Sequence, residues 1–517
     1  MISTALATLS GLAPSLRAAE EQVLRLRLGE DPETLYNVKS ISLTVNSLLG
    51  GFIIDRLIYF DMEGKPQPWL ATSWTVSDDQ KQITFKLRDG VKFTDGTPFD
   101  AAAVKFQFDS IMDKANASPL LSLLGSLQTV ATPDPMTVVF TFGKPYAPFF
   151  SRIAGASFGF NSPTAVKKFG EQYGRNVVGT GPYMLKSWLP GTEIQLVRNP
   201  DYKQLRGDAI NKGQAYCDRI VLTVISEESV AEAALESGEL SAAVVATDVI
   251  GRLKDDKRFN VVIDKIVTNL LFLEFNETHK PFDNPEVRRA IGYAIDRNAV
   301  VQAAFDGYGG PALSPLAIGI PGYDAKAAEE YGTPYNPDKA KALLAQAGFK
   351  PGADGILTFD GKPASYSLKS YAGFETIDRS LAVIQANLAA VGIKVTLETS
   401  DWGTFYPSLL KGDWDMDLNR WTSSDPSVLS FLFRSPGHRK MTQANPTQDA
   451  ILDRCDTLMD TDARAKCEGE AQVALLQSAT IAPVLSNWLV TVTQANVRDY
   501  HLDFFNNLIP GDVHFAT

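Results

Sequence analysis

Residues able to do covalent chemistry are few in this chain and do not gather. Four histidines, His279, His438, His501 and His514, stand far apart, and none sits in an H-E-x-x-H pattern. The G-x-S-x-G turn and the phosphate-cradling G-x-x-x-x-G-K-[S/T] loop are also missing. Asp413 and Asp415 lie close together, but acids alternating along a strand-like run are ordinarily solvated. Catalysis needs a nucleophile, a base and a stabiliser of developing charge in one place. The sequence therefore predicts no enzyme, no metal centre and no cofactor.

What it offers instead is recognition chemistry, concentrated in residues 401–433, DWGTFYPSLLKGDWDMDLNRWTSSDPSVLSFLF. Trp402 and Trp421 flank a helix-like run over 405–410, a turn at Lys411-Gly412-Asp413 and the strand-like alternation Trp414, Met416, Leu418. The chain then turns small and polar at Thr422-Ser423-Ser424-Asp425-Pro426. A strand that delivers an aromatic ring beside a polar loop makes a binding wall, and the competing reading buries both indoles in a core. Asn419 shares a strand face with Trp421 and is expected to point with it toward a cleft. Upstream, Tyr371 and Phe374 either stack on a ligand or pack under their loop. Arg379 opens a helix expected over 380–391, where it either meets a ligand or pairs with Glu375 or Asp378. Asn46 and Ser47, in a helix expected over 40–57, are the candidates from the first part of the chain.

These residues need a large scaffold. At 517 residues, with 44% hydrophobic and 21% charged, the chain is an ordinary globular protein too long for one core. A net charge of −11 without a basic stripe argues against nucleic acid. After the N-terminal region no run approaches the length of a membrane span, so no membrane insertion is expected. Residues 2–16 are uncharged and rich in Ala and Leu, and Arg17-Ala18-Ala19 precedes Glu20-Glu21. This reads as the apolar core and cleavage zone of a secretory signal, residues 1–19, whose basic leader is expected further upstream. A frayed amphipathic helix is the alternative. No cysteine stands at the cleavage point to carry a lipid, so a freely soluble periplasmic protein is expected.

Cys455 and Cys467 fall in two helix-like runs joined near Thr461-Asp462. Antiparallel helices meeting there bring the sulfurs onto facing surfaces, so a disulfide is expected in an oxidising compartment. Cys217 is left over, expected half-buried at a strand start.

Along the chain, residues 23–28 alternate strictly as a strand, 82–88 form another, and 100–112 form a helix. Within this stretch, residues 85–111, FKLRDGVKFTDGTPFDAAAVKFQFDSI, resemble the extracellular solute-binding proteins of family 5, the dipeptide, oligopeptide and nickel-binding class serving ABC importers. Further similar blocks follow in the family's order. They are Val178-Gly179-Thr180-Gly181-Pro182-Tyr183 with Trp188 and Pro190-Gly191, and then Arg198-Asn199-Pro200-Asp201-Tyr202. Next come Phe275-Asn276, Pro281-Phe282, residues 287–291 and 294–297, and last residues 335–340 with Ala347-Gly348-Phe349. These residues are expected to build the fold, with Arg288, Arg289, Asp296 and Arg297 as the charged face of a helix.

The resemblance implies an α/β, two-lobed periplasmic-binding-protein fold with an extra inserted subdomain. Lobe I is expected at 20–62, 176–266 and 489–517, the insert at 63–175 and lobe II at 267–488, with linkers crossing near 268–273 and 483–490. It also implies a monomer that captures a small-molecule ligand and hands it to a membrane permease of an ABC importer. Peptide-binding members carry an acid three residues after the tryptophan matching Trp421, to pair with the peptide ammonium. Here that position is Ser424, and the loop to Asp-Pro is two residues shorter, so the acid is absent unless Asp425 takes its place. Members of this class can also supply an arginine for the ligand carboxylate, and Arg379 stands at that place. Hydroxyls in place of a charge favour a neutral ligand, an oligosaccharide or an opine-like sugar and amino-acid conjugate. A short peptide anchored by Asp425 is the alternative, and a sensor or chaperone-like role without transport is another. The poverty in histidine speaks against the nickel- and haem-type members.

Overall fold

The computed structural model describes residues 21–264, 267–372, 374–435 and 443–516. The expected signal segment and His438 lie outside these. The alternating run Val23–Leu28 forms the centre of a seven-stranded sheet, parallel to Arg219–Val224 on one side and Ala242–Val244 on the other. Its leucines are buried. Leu24 and Leu26 share one core with Ile220 and Leu222, and Ala231, Leu235 and Ile250 pack on the sheet's other side. The chain's late strand Leu489–Gln494 slots between Ala242–Val244 and Phe259–Asp264, antiparallel to both.

A second, six-stranded sheet runs Gly309–Pro311, Ile481–Asn487, Asn269–Phe275, Met416–Thr422, Ser365–Tyr371, Lys394–Ser400. Both faces are covered, so its central strand NLLFLEF reads as an almost unbroken apolar run. Leu271, Leu273 and Phe275 join one core and Leu270 and Phe272 the other. Between the sheets the chain passes once between the strands Phe259–Asp264 and Asn269–Phe275 and once through the single residue Trp488. Next to these crossings Asn269 Nδ2 donates to the Asn487 carbonyl at 2.9 Å and Asn487 N–H donates to Asn269 Oδ1 at 3.1 Å. This two-way bond ties the crossing strands together.

A third, four-stranded antiparallel sheet of Ala71–Val76, Gln82–Leu87, Thr137–Phe142 and Leu127–Asp134 packs on the helix Ala101–Met112. Asp100 caps that helix by accepting from Ala103 N–H. Its core is rich in phenylalanine, with Phe108 and Phe140 rings 4.8 Å apart edge to face. It also takes in Leu57, Ile58 and Phe504, which lie outside residues 63–175.

Several expectations change here. The helix expected over 40–57 is only Leu43–Leu48, widening into a π-turn at Leu49–Ile53. The Gly50-Gly51 pair explains the break. A Cβ on Gly50 would stand 2.3 Å from Ala156 Cβ, and one on Gly51 would stand 2.5 Å from the Leu508 carbonyl, so later segments press onto bare backbone. Arg288 and Arg297 are not a solvated face but are buried, at 4% and 3% exposure. Arg297 donates to the carbonyls of Pro483, Ala312, Gly292 and Thr333, and Arg288 to those of Ala479, Phe282 and Ser478. They satisfy chain ends that packing has stripped of water. Cys217 is fully buried, not half, and its Sγ faces the Val513 carbonyl at 3.3 Å. Cys455 and Cys467, in the helices Pro446–Cys455 and Thr461–Ser478, are joined by a disulfide.

Candidate functional site

In sheets with helices on both faces, ligands settle outside the carboxyl ends of the parallel strands. Register places both such edges at the crossings. Asn269 pairs with Thr422 and Leu489 with Asp264, so the strand ends Tyr371, Ser400 and Thr422 lie at the same end as Leu28, Val224 and Val244 of the other sheet.

On the seven-stranded side, this edge carries an open cleft of about 350 Å³. Apolar residues, leucines foremost, line most of it, with Arg27, Ser47, Thr491, Tyr500 and Asn506 as the polar groups. Burial pushes the Tyr500 hydroxyl up to about 12, eased by its bond to Thr491, so it is a neutral donor at physiological pH. The Asn506 Oδ1 is buried without a hydrogen-bond partner. Of the two earlier candidates here, Ser47 lines the cavity while Asn46 is not among its walls. Arg27, Tyr500 and Asn506 escaped the sequence reading, although Arg27 ends the alternation VLRLRL at the strand's carboxyl end.

On the six-stranded side, even and odd positions of Met416–Thr422 go to different faces. Met416 and Leu418 enter the core that holds Tyr371 and Phe405, and Arg420 follows them to the edge. Trp421 goes the other way. It is half-buried, its ring 5.4 Å from that of Phe431, and with Ser423 it lines a narrow gap of about 10 Å³ among Leu270, Phe272 and Val428. Asn419, on the face of Trp421, is fully buried rather than facing a cleft; Oδ1 accepts from Arg420 N–H at 2.9 Å and Nδ2 has no partner. Tyr371 is buried against Phe405, while the Phe374 ring beside it is 45% exposed. Trp402 is the first residue of the helix Trp402–Lys411, and its side chain lies outside the described residues.

Two expected ligand contacts are already engaged. Arg379 pairs with Glu375 at 2.6 Å one helical turn away. Asp425, 2% exposed, accepts both forks of Arg464 at 2.8 and 2.9 Å and Ser427 N–H at 2.9 Å. Burial alone would raise its pKa, but the guanidinium outweighs this and holds the carboxyl well below the usual range. Its charge is therefore already matched by Arg464. Ser423 Oγ donates to the Asp425 carbonyl at 2.8 Å and accepts from its N–H at 3.1 Å, closing the loop on itself. Ser424 remains half-buried beside it. Among the described residues no group of three or more His, Cys, Asp or Glu is arranged to hold a metal, and no helix is long and apolar enough to cross a membrane.

Residues 65–442 match the family model described as bacterial extracellular solute-binding proteins, family 5, middle region. This chain is a family 5 solute-binding protein. Among its curated relatives is the glutathione-binding protein GsiB of Escherichia coli O1:K1, 33% identical over 361 residues, which cover 70% of this binding protein and 66% of that relative. The match thus spans just under two thirds of the relative's length. Among solved structures, NikA from Brucella suis in complex with Fe(III)-EDTA superposes with a TM-score of 0.84 at 24% identity, over 96% of this chain and 100% of that one. AgaA from A. tumefaciens R10 in complex with agropinic acid superposes with a TM-score of 0.73 at 25% identity, over 96% and 99%. The α/β periplasmic-binding-protein fold of the family is thereby shared by this binding protein.

Proposed function

We propose that this chain is the periplasmic substrate-binding component of an ABC importer, capturing a small polar solute between two lobes and presenting it to a membrane permease. The observation that carries this is the pair of sheets whose carboxyl edges meet at two crossings tied by Asn269 and Asn487. Such a joint lets ligand contacts made from both sides stabilise the closed arrangement. Lobe I is assigned to 20–62, 176–266 and 489–517, the inserted subdomain to 63–175 and lobe II to 267–488, in line with the three sheets. The protein works as a monomer, without enzymatic turnover.

The ligand is an amino-acid conjugate of peptide or opine type. The glutathione and agropinic acid in the names of its relatives favour this over a plain oligosaccharide. A short peptide held by its ammonium on Asp425 is disfavoured, because Arg464 already occupies that carboxylate. Small-angle scattering with added solutes tests the closure, with uptake by a strain lacking the gene as the second readout. Compaction on binding, release of the solute chemically intact and loss of its uptake are expected. Chemical conversion of the solute, or unchanged uptake without the protein, refutes the reading.

A further inference from the structure

The charges along the two carboxyl edges are not balanced. On the lobe II side Arg379 is spent on Glu375, Lys369 sits 3.7 Å from Glu398, Asp401 caps its helix through Thr404, and Asp425 is held by Arg464. Arg420 differs, because among the described residues no carboxylate pairs with it. Its guanidinium lies 5.1 Å from the centre of the exposed Phe374 ring and beside the Tyr371 hydroxyl. The ring and the hydroxyl hold the guanidinium in place without neutralising it.

Lobe I presents the same imbalance. Arg27, one residue from the end of its strand, lines the open cleft on that side. Its Nε donates to the Ile225 carbonyl at 2.8 Å and Nη2 to the Ser226 carbonyl at 2.9 Å, which hold the group in place without neutralising it. Among the described residues it too has no carboxylate partner. Closing a site over two uncompensated cations is costly unless the ligand brings the anions. Meanwhile, the acid that would greet an ammonium is missing at Ser424 and committed at Asp425.

We propose that Arg27 and Arg420 form a clamp across the cleft, each lobe reading one anionic group, so that the ligand carries at least two carboxylates or equivalent anions. This rests on the importer reading above and departs from the neutral ligand suggested by the loop hydroxyls. The planar forks match carboxylate geometry bidentately, which a lysine cannot reproduce. Because the two cations sit on different lobes, a ligand with one anion engages one lobe only and leaves the other charge unmatched on closure.

Matched solutes separate charge from shape. Titration calorimetry on the intact protein compares glutathione with its diethyl ester and alanyl-glutamate with its bis-amide. Each dicarboxylate is expected to bind at least tenfold more tightly than its counterpart with both carboxylates blocked, which keeps only the ammonium charge. Arg420→Gln and Arg27→Gln should each remove tenfold or more of that affinity, with Arg420→Lys recovering only part. Should a variant fold poorly, the ligand pairs on the unaltered protein decide alone. Equal binding of the carboxylate-blocked members, undiminished affinity in well-folded arginine variants, or failure of both dicarboxylates to bind overturns the clamp. Binding and closure with a neutral solute would sink the clamp and leave the importer reading intact, whereas that reading falls only with unchanged uptake in the deletion strain.

Discussion

Substituting Asp425 by Asn tests whether this residue is a structural anchor or a ligand contact. The carboxylate is 2% exposed and takes two hydrogen bonds from Arg464, so removing its charge leaves a guanidinium whose side chain is 13% exposed without its main partner. Breaking a buried pair from one side costs about 3–5 kcal/mol. The cost has a pH dependence set by Glu468, whose Oε1 lies 3.6 Å from Arg464 Nε. Burial pushes Glu468 up to about 8, against the pull of Arg464 and with the added repulsion of Asp425 and Asp456. A carboxyl raised in the folded state contributes stability that is full below its unfolded pKa and is lost as pH climbs through about 8. In Asp425→Asn one repelling charge is gone and Arg464 is free for Glu468, so the raised pKa falls and the loss at high pH shrinks. The destabilisation should therefore be large at pH 5.5 and smaller at pH 9 in urea unfolding followed by circular dichroism. An unchanged midpoint at pH 5.5, or a cost that grows with pH, would refute the reasoning. Solute affinity measured where the variant is folded should be unaltered.

Three further outcomes follow from packing and hydrogen bonds. Replacing Cys455 and Cys467 by Ser removes the cross-link between the two helices and should cost about 3 kcal/mol, read as a lowered urea midpoint, with non-reduced peptide mapping confirming the bridge in the parent. Asn269→Leu deletes a two-way bond worth roughly 1 kcal/mol per hydrogen bond, and should speed amide exchange near Trp488 and broaden the unliganded scattering envelope; unchanged exchange would count against a tied joint. Gly51→Ala sets a methyl 2.5 Å from the Leu508 carbonyl and should cost about 1–3 kcal/mol, seen as a lower melting temperature, whereas an unshifted melt would show that the C-terminal segment can yield there.

The sequence was most legible where local pattern and final packing agree. Val23–Leu28 alternates because one sheet face is buried more deeply than the other, and Asp100 announces the helix it caps. The motif blocks carried the family, and the family carried the fold. Failures came where the deciding partner is distant in sequence. The Gly50-Gly51 pair reads as tolerable inside a helix until Ala156 and Leu508 are seen against it. Arg288 and Arg297 look like surface charges unless the carbonyls of Ala479 and Pro483 are known to converge on them. Asp425 looked available because Arg464, 39 residues on, gives no local sign of reaching it. At Met416–Thr422 the alternation is as expected, but Asn419 is buried, and Arg420, one residue along, reaches the edge.

The late arrival of Leu489–Gln494 has a consequence for biosynthesis. Until residue 494 leaves the ribosome, the seven-stranded sheet lacks an interior strand, and Phe259–Asp264 has nothing to join. The chain end is needed as well, since Asp512 receives the backbone N–H groups of Ile210 and Asn211. Pairings so remote along the chain form slowly and only once nearly everything has been made. The first lobe thus cannot be completed until nearly the whole chain has been made, so its final locking is a late event set by topology.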